Sequence, residues 1–516
     1  MAEPRIFVNI AAYRDTECQW TVKDLFEKAR APERVFVGLC WQFVEAEDKD
    51  CFLVPSPRPD QTRTVAFDAH HSLGACWARH HAETLWQGED YCLQIDSHMR
   101  FAPGWDDRAL AELARCPAPK PVLSSYPPAY TPPDALTGEA IIISHAAEFQ
   151  DSGLVRVASH RIEIDQAPKQ PVPTPFIAGG FVFGASAMLR EVPYDPHLYF
   201  WGEELTLAAR LWTHGWNIFV PSQVICWHDY SKREGRRRHW DDNKEWTRLN
   251  ERSQKRARHL LGAESVTDPE ALPEIERYGL GTARSLEQFY AHSGVDYRAK
   301  TIGGKSMEQV WMEQPAEERR KRHQEVFAAV QWGAAETRSG PGSTLAATEK
   351  IRAELPDLFD YLGIEILADA GCGDCNWMSR ISERLTLYLG LDVVGDLVRL
   401  ARERHGRKRG HLFSETDITL DPPPRADAIL CRDVLTHLPA LEVKAALALF
   451  KDSGARYLIA THFERDRNEP VRVGGWQPMA LTAPPYALPP PRHLLREGLA
   501  NSSKSLGVWL LKDVPV

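Results

Sequence analysis

Long apolar runs are missing from this chain: none of its 516 residues sits in a stretch approaching the ~18 uncharged apolar positions that a membrane-crossing helix requires. No membrane partner is therefore predicted. A dominant charge is missing too. With 62 Lys and Arg against 71 Asp and Glu, and a formal net charge of −9, the chain offers no general electrostatic case for nucleic acid or an anionic surface. Cysteine is sparse. Ten are scattered through predicted strands and helices, and Cys372 and Cys375 form the only close pair, which excludes a dense disulfide framework and predicts a reducing compartment. The start, Met-Ala-Glu-Pro-Arg, runs directly into a strand without the charged segment, apolar run and cleavage site of a secretory signal. The expected location is cytoplasmic. Neither an internal repeat nor an extended low-complexity segment is present.

What is present is a rhythm. Strand-like runs (Ile6 to Ile10, Arg34 to Cys40, Tyr91 to Ile95, Val122 to Ser125) alternate with helical stretches (Thr21 to Ala29, Ser72 to Trp86, Trp105 to Ala114), which predicts an α/β fold with a parallel or mixed sheet flanked by helices. Two Pro-rich segments, Pro127 to Pro133 and Pro171 to Pro175, interrupt it and read as surface loops that could frame an acceptor groove. At this length two or three domains are expected, given ~100 to 200 residues each. A second βαβ pattern begins after the Gly-Ser stretch Arg338 to Thr344. The basic run Lys232 to Arg258 has Asp and Glu interspersed and reads as a solvated helix face, against a weaker nucleic-acid reading.

Chemistry concentrates first at Asp96-Ser97-His98, at the end of an apolar strand. Alternate strand residues share a face, so Asp96 and His98 reach one divalent cation while Ser97 faces away. Taken alone, the motif also reads as an ordinary strand ending in a polar turn. Downstream come Phe176-Ile-Ala-Gly-Gly-Phe181, Phe200-Trp-Gly-Glu-Glu-Leu205, Arg210-Leu-Trp-Thr-His-Gly215 and Pro221-Ser-Gln-Val-Ile-Cys-Trp-His228. With Ile6 to Asp15, Val37 to Gln42, Ala78-Arg79 and Met99 to Phe101, these blocks resemble GT-A glycosyltransferases of the Skp1-type polypeptide N-acetylglucosaminyltransferase family over roughly residues 5 to 300.

That resemblance implies metal-dependent transfer from a UDP-sugar, UDP-GlcNAc above all, with retention of anomeric configuration. It implies that Asp96, His98 and His228 hold Mn²⁺ (or Mg²⁺), and that Arg79 contacts the nucleotide; a buried helix-end salt bridge is the competing reading of Arg79. Gly179 and Gly180 permit close backbone approach, suiting a donor-sugar pocket or a tight turn. Glu203 and Glu204 face donor sugar or acceptor hydroxyl, Glu204 being the better match to the family's acidic position, or else they are partners of a helix N-terminal dipole. The implied acceptor is a hydroxyl of a peptide, protein or glycan.

In the second pattern, Ile364 to Trp377 reads as a strand ending in a glycine turn that opens a helix, and Tyr388-Leu-Gly-Leu-Asp392 as the next strand with an acid able to accept two ribose hydroxyls. A Lys-Ser or Lys-Thr pair after the glycines is absent, which disfavours phosphate binding. Residues 318 to 516 resemble class I S-adenosylmethionine-dependent methyltransferases, with Asp369, Gly371 and Gly373 in the first motif, Asp392 as the ribose acid, Asp417 near the adenine, and Asp427 to Asp433 as the fourth strand. Cys375 stands where many members have a third glycine. The Cys372 and Cys375 pair lies inside the glycine turn with no second Cys/His pair nearby, which argues against redox and zinc roles. Asp433, His437 and His462 are candidate bases, or structural. Gly474 to Pro478 and Pro484 to Pro491 read as a lid or an irregular loop.

The expected architecture is an N-terminal GT-A nucleotide-sugar transferase domain (1–300), a linker (301–317) and a C-terminal Rossmann-like methyltransferase domain (318–516). Together they would glycosylate an acceptor and methylate the product or a related one. The alternative is a polysaccharide or natural-product glycosyltransferase whose C-terminal half is a non-catalytic acceptor-binding module. A nucleotidyltransferase fits less well, because Ile6 to Asp15 lacks a glycine-rich, lysine-containing start.

Overall fold

A computed structural model describes residues 3–231, 237–329, 335–497 and 503–515. The first five residues of the basic run, 232–236, lie outside the described residues; most of the rest forms the helix Trp246–Leu260, which buries Ser253, Arg256, Ala257 and Leu260 and leaves its other face solvated. The chain divides into two compact units, Met1–Met307 and Glu308–Val516.

In the first unit, Ile6–Tyr13 (β1), Val35–Phe43 (β2), Thr62–Asp68 (β3) and Tyr91–Asp96 (β4) lie parallel. β1, β2 and β4 are largely buried apolar runs because helices such as Cys18–Lys28 and Ala75–Glu83 cover the sheet, while the edge strand β3 has no buried residue. Asn9, the polar exception inside β1, donates its Nδ2 to the Arg79 carbonyl at 3.1 Å and so ties the strand to the Ala75–Glu83 helix. The short Met99–Phe101 (β5) follows β4, and Pro121–Ser124 (β6), Val172–Pro173 (β7), Phe181–Ala185 (β8) and Asn217–Val220 (β9) extend the sheet to eight strands in the order β7-β9-β6-β8-β4-β1-β2-β3. β8 runs antiparallel between β6 and β4, so the sheet is mixed. Cys226–His228 (β10) forms a separate two-stranded sheet with β5.

Two expectations change here. Pro127 and Pro128 are buried, not loop surface, and the Pro127 and Pro128 carbonyls accept from Tyr230 Oη and His228 N; a proline carbonyl still bonds although its nitrogen cannot. Residues 301–317 are not a free linker. Thr301–Ile302 and Lys305–Ser306 form a hairpin across Gly303 and Gly304, whose φ values of +60° and +77° suit that turn, and it pairs with Val295–Asp296.

In the second unit, Ile366–Ala370 (β11), Leu387–Asp392 (β12), His411–Glu415 (β13), Ala428–Cys431 (β14), Tyr457–Phe463 (β15), His493–Arg496 (β16) and Lys504–Leu510 (β17) form one sheet ordered β13-β12-β11-β14-β15-β17-β16. β11 to β15 are parallel and β17 is antiparallel to both neighbours. Strand order reverses at β11, which opens a crevice at the carboxyl ends of the strands, the place where doubly wound sheets hold ligands. The helix expected after β11 is replaced by two 3₁₀ turns, Met378–Arg380 and Ser382–Arg384. Cys375 explains part of this: its φ of +57° breaks the helical path, and its side chain is buried beside Tyr388. Among the described residues no helix is long and apolar enough to cross a membrane.

Candidate functional site

In the first unit the site forms where β4 ends. Asp96 is the last residue of β4 and His98 precedes β5, while the β5–β10 register sets His228 opposite Met99. The ligand atoms of Asp96, His98 and His228 consequently lie within 4.8 Å of one another. His228 Nε2 is 3.1 Å from Asp96 Oδ2, and the two imidazoles meet edge to face at 4.6 Å. Asp15, just beyond the parallel neighbour β1, accepts from His98 Nδ1 at 2.7 Å, which orients the imidazole. The strand itself has ended at Asp96, so alternation does not govern Ser97. Its hydroxyl turns to the same Asp15 oxygen, at 2.6 Å, instead of facing away.

Arg79 holds the other side of this cluster. Its Nη2 donates to Asp96 Oδ1 at 2.6 Å, and Nη1 bonds Glu203 and, at 2.8 Å, Tyr194. The buried ion-pair reading of Arg79 is thus what the geometry presents, from within the helix and not at its end. Burial alone would raise the Asp96 carboxyl, but Arg79, His228 and His98 hold it well below the usual carboxylate range. It stays anionic.

The glycine turn is dictated by these carboxylates. A Cβ on Gly179 would stand 2.7 Å from Glu203 Oε1, and one on Gly180 would stand 2.7 Å from Asp96 Oδ2. The helix Glu203–Thr213 begins on the two glutamates, which part company. Glu203 is buried on Arg79. Glu204 accepts from Gly179 N at 2.7 Å and from the Tyr126 hydroxyl; burial, with Glu203 beside it, pushes its carboxyl up to about 7. A carboxyl poised there can hold or release a proton near neutrality. Asp15, Tyr126 and Tyr194 were not singled out from sequence. For Asp15 the available signal was its place just past an apolar strand, where α/β sheets collect ligands.

In the second unit a cavity of about 350 Å³ opens over the strand ends, lined among others by Gly371, Gly373, Asp392, Asp417, Asp433 and His437. Asp392 accepts from Gly373 N and Val394 N, each at 2.9 Å, which holds its carboxylate at the end of β12. Gly371 has φ +90° and Gly373 φ +55°; a Cβ on the first would collide with Val434 and on the second with Ser339. The Ser339 to Ser343 segment, read from sequence only as a boundary, thereby forms a wall of the cavity. Two candidates are displaced. Asp369 is buried behind the turn, bonded to Tyr388 Oη, with burial raising its carboxyl to about 7, and it is absent from the cavity wall. His462 is likewise outside the wall, its Nδ1 accepting from Leu481 N at 3.2 Å. Asp417 lines the cavity, yet its carboxylate is engaged by His323 Nδ1 at 2.7 Å and by Thr419. Cys372 and Cys375 are both buried free thiols.

A search of curated proteins finds no match. Among solved structures the chain is similar to the methyltransferase domain of bacterial CtHen1, at 13% identity over 32% of this chain and 99% of that one with a TM-score of 0.25. It is similar to magnesium protoporphyrin IX methyltransferase (ChlM) from Synechocystis PCC 6803 with bound SAM, at 14% identity over 37% and 95%, TM-score 0.28. N-methyltransferase NodS from Bradyrhizobium japonicum WM9 in complex with S-adenosyl-L-homocysteine is similar at 16% identity over 28% and 74%, TM-score 0.24. Likenesses at these scores establish no shared activity. The family model described as Glycosyltransferase (GlcNAc) matches residues 5–62 and 54–299, more than half of the 516 residues, and the cluster of Asp96, His98 and His228 lies inside that match. The chain belongs to the Glycosyltransferase (GlcNAc) family.

Proposed function

We propose that the first unit is a GT-A-type, metal-dependent retaining glycosyltransferase that moves N-acetylglucosamine from UDP-GlcNAc to a hydroxyl of a peptide, protein or glycan. The observation that carries this reading is the convergence of Asp96, His98 and His228 within 4.8 Å in a chain of this family. The donor set fits a divalent cation: one carboxylate held anionic by Arg79 and one imidazole oriented by Asp15. Two imidazole nitrogens favour Mn²⁺ over Mg²⁺. The cation supplies positive charge where the departing diphosphate gathers negative charge.

This chain's own residues do the rest. Arg79 braces Asp96 and Glu203 together, so the ligand and the start of the Glu203–Thr213 helix keep one spacing. Gly179 and Gly180 leave room for that bracing, and Glu204, tethered by Tyr126 and the Gly179 amide, offers a carboxyl for the acceptor proton or the donor sugar. The second unit is an S-adenosylmethionine-dependent methyltransferase acting on the glycosylated product or a related acceptor. Its support is the crevice at the strand-order reversal with Asp392 held at its edge.

Incubation with UDP-GlcNAc and Mn²⁺, with UDP release measured for wild type and Asp96→Ala, tests the first reading. Metal-dependent release lost in the variant supports it, and an inverted product removes the retaining step. Calorimetric titration with S-adenosylmethionine tests the second; a chain that does not bind it has no methyltransferase half.

A further inference from the structure

The cavity of the second unit has, beside the cofactor crevice, a mouth built from one strap and one turn. The turn Leu435–His437 carries His437 into the cavity wall. The strap is residues 474 to 477, clipped to that turn by three hydrogen bonds: Gly474 N to the His437 carbonyl at 3.0 Å, His437 Nδ1 to the Gly475 carbonyl at 2.5 Å, and Gln477 N to the Thr436 carbonyl at 3.0 Å. Between the clips stands Trp476. It lines the same cavity, packs near-perpendicular to Phe463 and remains 59% exposed, so much of the indole is uncovered where a large apolar side chain would ordinarily be covered.

Each part has a chemical reading. A carbonyl can only accept, so the 2.5 Å contact requires the proton on His437 Nδ1, and a neutral imidazole then carries its lone pair on Nε2. Burial keeps this histidine below its ordinary value, which holds it in that neutral form at physiological pH. An imidazole so disposed accepts a proton from a hydroxyl, whose oxygen needs deprotonation before it is an effective nucleophile. A largely exposed indole in a cavity wall offers a broad apolar platform of the kind on which the C–H face of a pyranose ring lies, with the ring's hydroxyls directed to polar groups at its edge. Asp433, held at φ +57° by Thr461 and Lys504, supplies such an edge in the same cavity.

We propose that the methyl acceptor of the second unit is a sugar hydroxyl: the pyranose stacks on Trp476, and His437 is the general base that makes the transfer an O-methylation. This rests on the reading of the second unit as an S-adenosylmethionine-dependent methyltransferase. In the step, the sugar oxygen attacks the methyl carbon of the sulfonium donor and an O–C bond forms. The C–S bond breaks with its electron pair passing to sulfur, and the hydroxyl proton passes to His437 Nε2 and on to water. A glycosyltransferase family in the same chain makes a sugar acceptor chemically consistent.

The test uses the full chain with S-adenosylmethionine and five methyl glycosides, those of N-acetylglucosamine, glucose, galactose, mannose and fucose, beside an amine, a carboxylic acid and a catechol. Products are read by mass and by the NMR position of the new methyl. The expected result is a methyl ether on at least one glycoside. Trp476→Ala raises its KM about tenfold, Trp476→Phe restores most of it, and His437→Gln lowers kcat at least a hundredfold. All three variants keep the wild-type Kd for S-adenosylmethionine, which shows that they fold. The acid limb of the wild-type pH profile disappears in His437→Gln; Asp433, Lys504 and Arg432 are the other charged side chains lining the cavity near it, besides Asp392 and Asp417. Methylation of none of the five glycosides by a chain that binds S-adenosylmethionine overturns the proposal and leaves the methyltransferase reading standing. Absence of S-adenosylmethionine binding overturns both.

Discussion

His323 lies between two carboxylates in the second unit, Nδ1 at 2.7 Å from Asp417 Oδ2 and Nε2 at 3.0 Å from Glu442 Oε1, with 2% of its side chain exposed. Both ring nitrogens face acceptors, so both bear protons and the ring is an imidazolium. Burial by itself would depress its pKa, but Asp417 and Glu442 outweigh burial and raise it from 6.5 to about 9. A folded value above the unfolded one means that the stabilisation is complete below about pH 6.5 and is lost as pH rises through about 9. At about 1.4 kcal/mol per pH unit that interval corresponds to about 3 kcal/mol. His323→Ala, which leaves two buried carboxylates without their cation, costs about 3 to 5 kcal/mol at pH 6. The assay is hydrogen exchange of the backbone amides of the helix Ala316–Ala329, corrected for intrinsic rates, at pH 6 and pH 9.5. The expected opening free energy falls by about 3 kcal/mol between those pH values in the wild type and stays nearly level in His323→Ala. Equal pH dependence in both proteins would refute the reasoning. Phe327 of the same helix and Asp417 both line the cavity, so affinity for S-adenosylmethionine is expected to weaken over the same pH interval.

Other expectations follow from single contacts. Gly180→Ala puts a methyl 2.7 Å from Asp96 Oδ2; a loss of Mn²⁺ affinity, measured by titration, with an unchanged melting profile is expected, and unchanged metal affinity would remove the steric argument. Tyr126→Phe deletes a hydrogen bond that favours the Glu204 carboxylate, so the Glu204 carboxyl, already at about 7, moves higher and the acid limb of UDP release shifts to higher pH. A limb that stays put or moves down contradicts this assignment. Asp392→Ala should weaken S-adenosylmethionine binding at least tenfold by calorimetry. Asp369→Asn, behind the turn and off the cavity wall, should leave that affinity within about threefold; the reverse order would mean that the carboxylates are misassigned.

The legible parts of this chain were local in origin. Tyr91 to Ile95 is an apolar, β-rich run, so its strand and the placement of Asp96 at its end follow from short-range pattern alone. The same holds for Tyr388 to Asp392 and for Gly371 and Gly373, whose positive φ values match what a tight strand-end turn demands. Cys375 shows the limit of such reading. It adopts the left-handed backbone of a glycine without being one, and the helix expected after it is absent, since the cost of φ > 0 is met by burial against Tyr388, which no local pattern announces. Pro127 and Pro128 carry a loop composition yet lie buried, because their carbonyls find donors in Tyr230 and His228, about a hundred residues away.

Residue order alone therefore determined some of the strands and where they end, Tyr91 to Ile95 and Tyr388 to Asp392 among them, and set Asp96, His98 and Asp392 near such ends, whereas His228 entered only through the family resemblance. Pairing across long separations decided what those groups do. The β5–β10 register brings His228 to Asp96 across 132 residues, Arg79 joins Asp96 to Glu203, Asp15 orients His98, and Asp369 is turned away while Asp392 faces the cavity. The physical reason is range. Hydrophobic periodicity is a property of neighbouring residues, whereas ion pairs, tautomers and shifted carboxyls depend on which distant groups the sheet brings within a few ångströms.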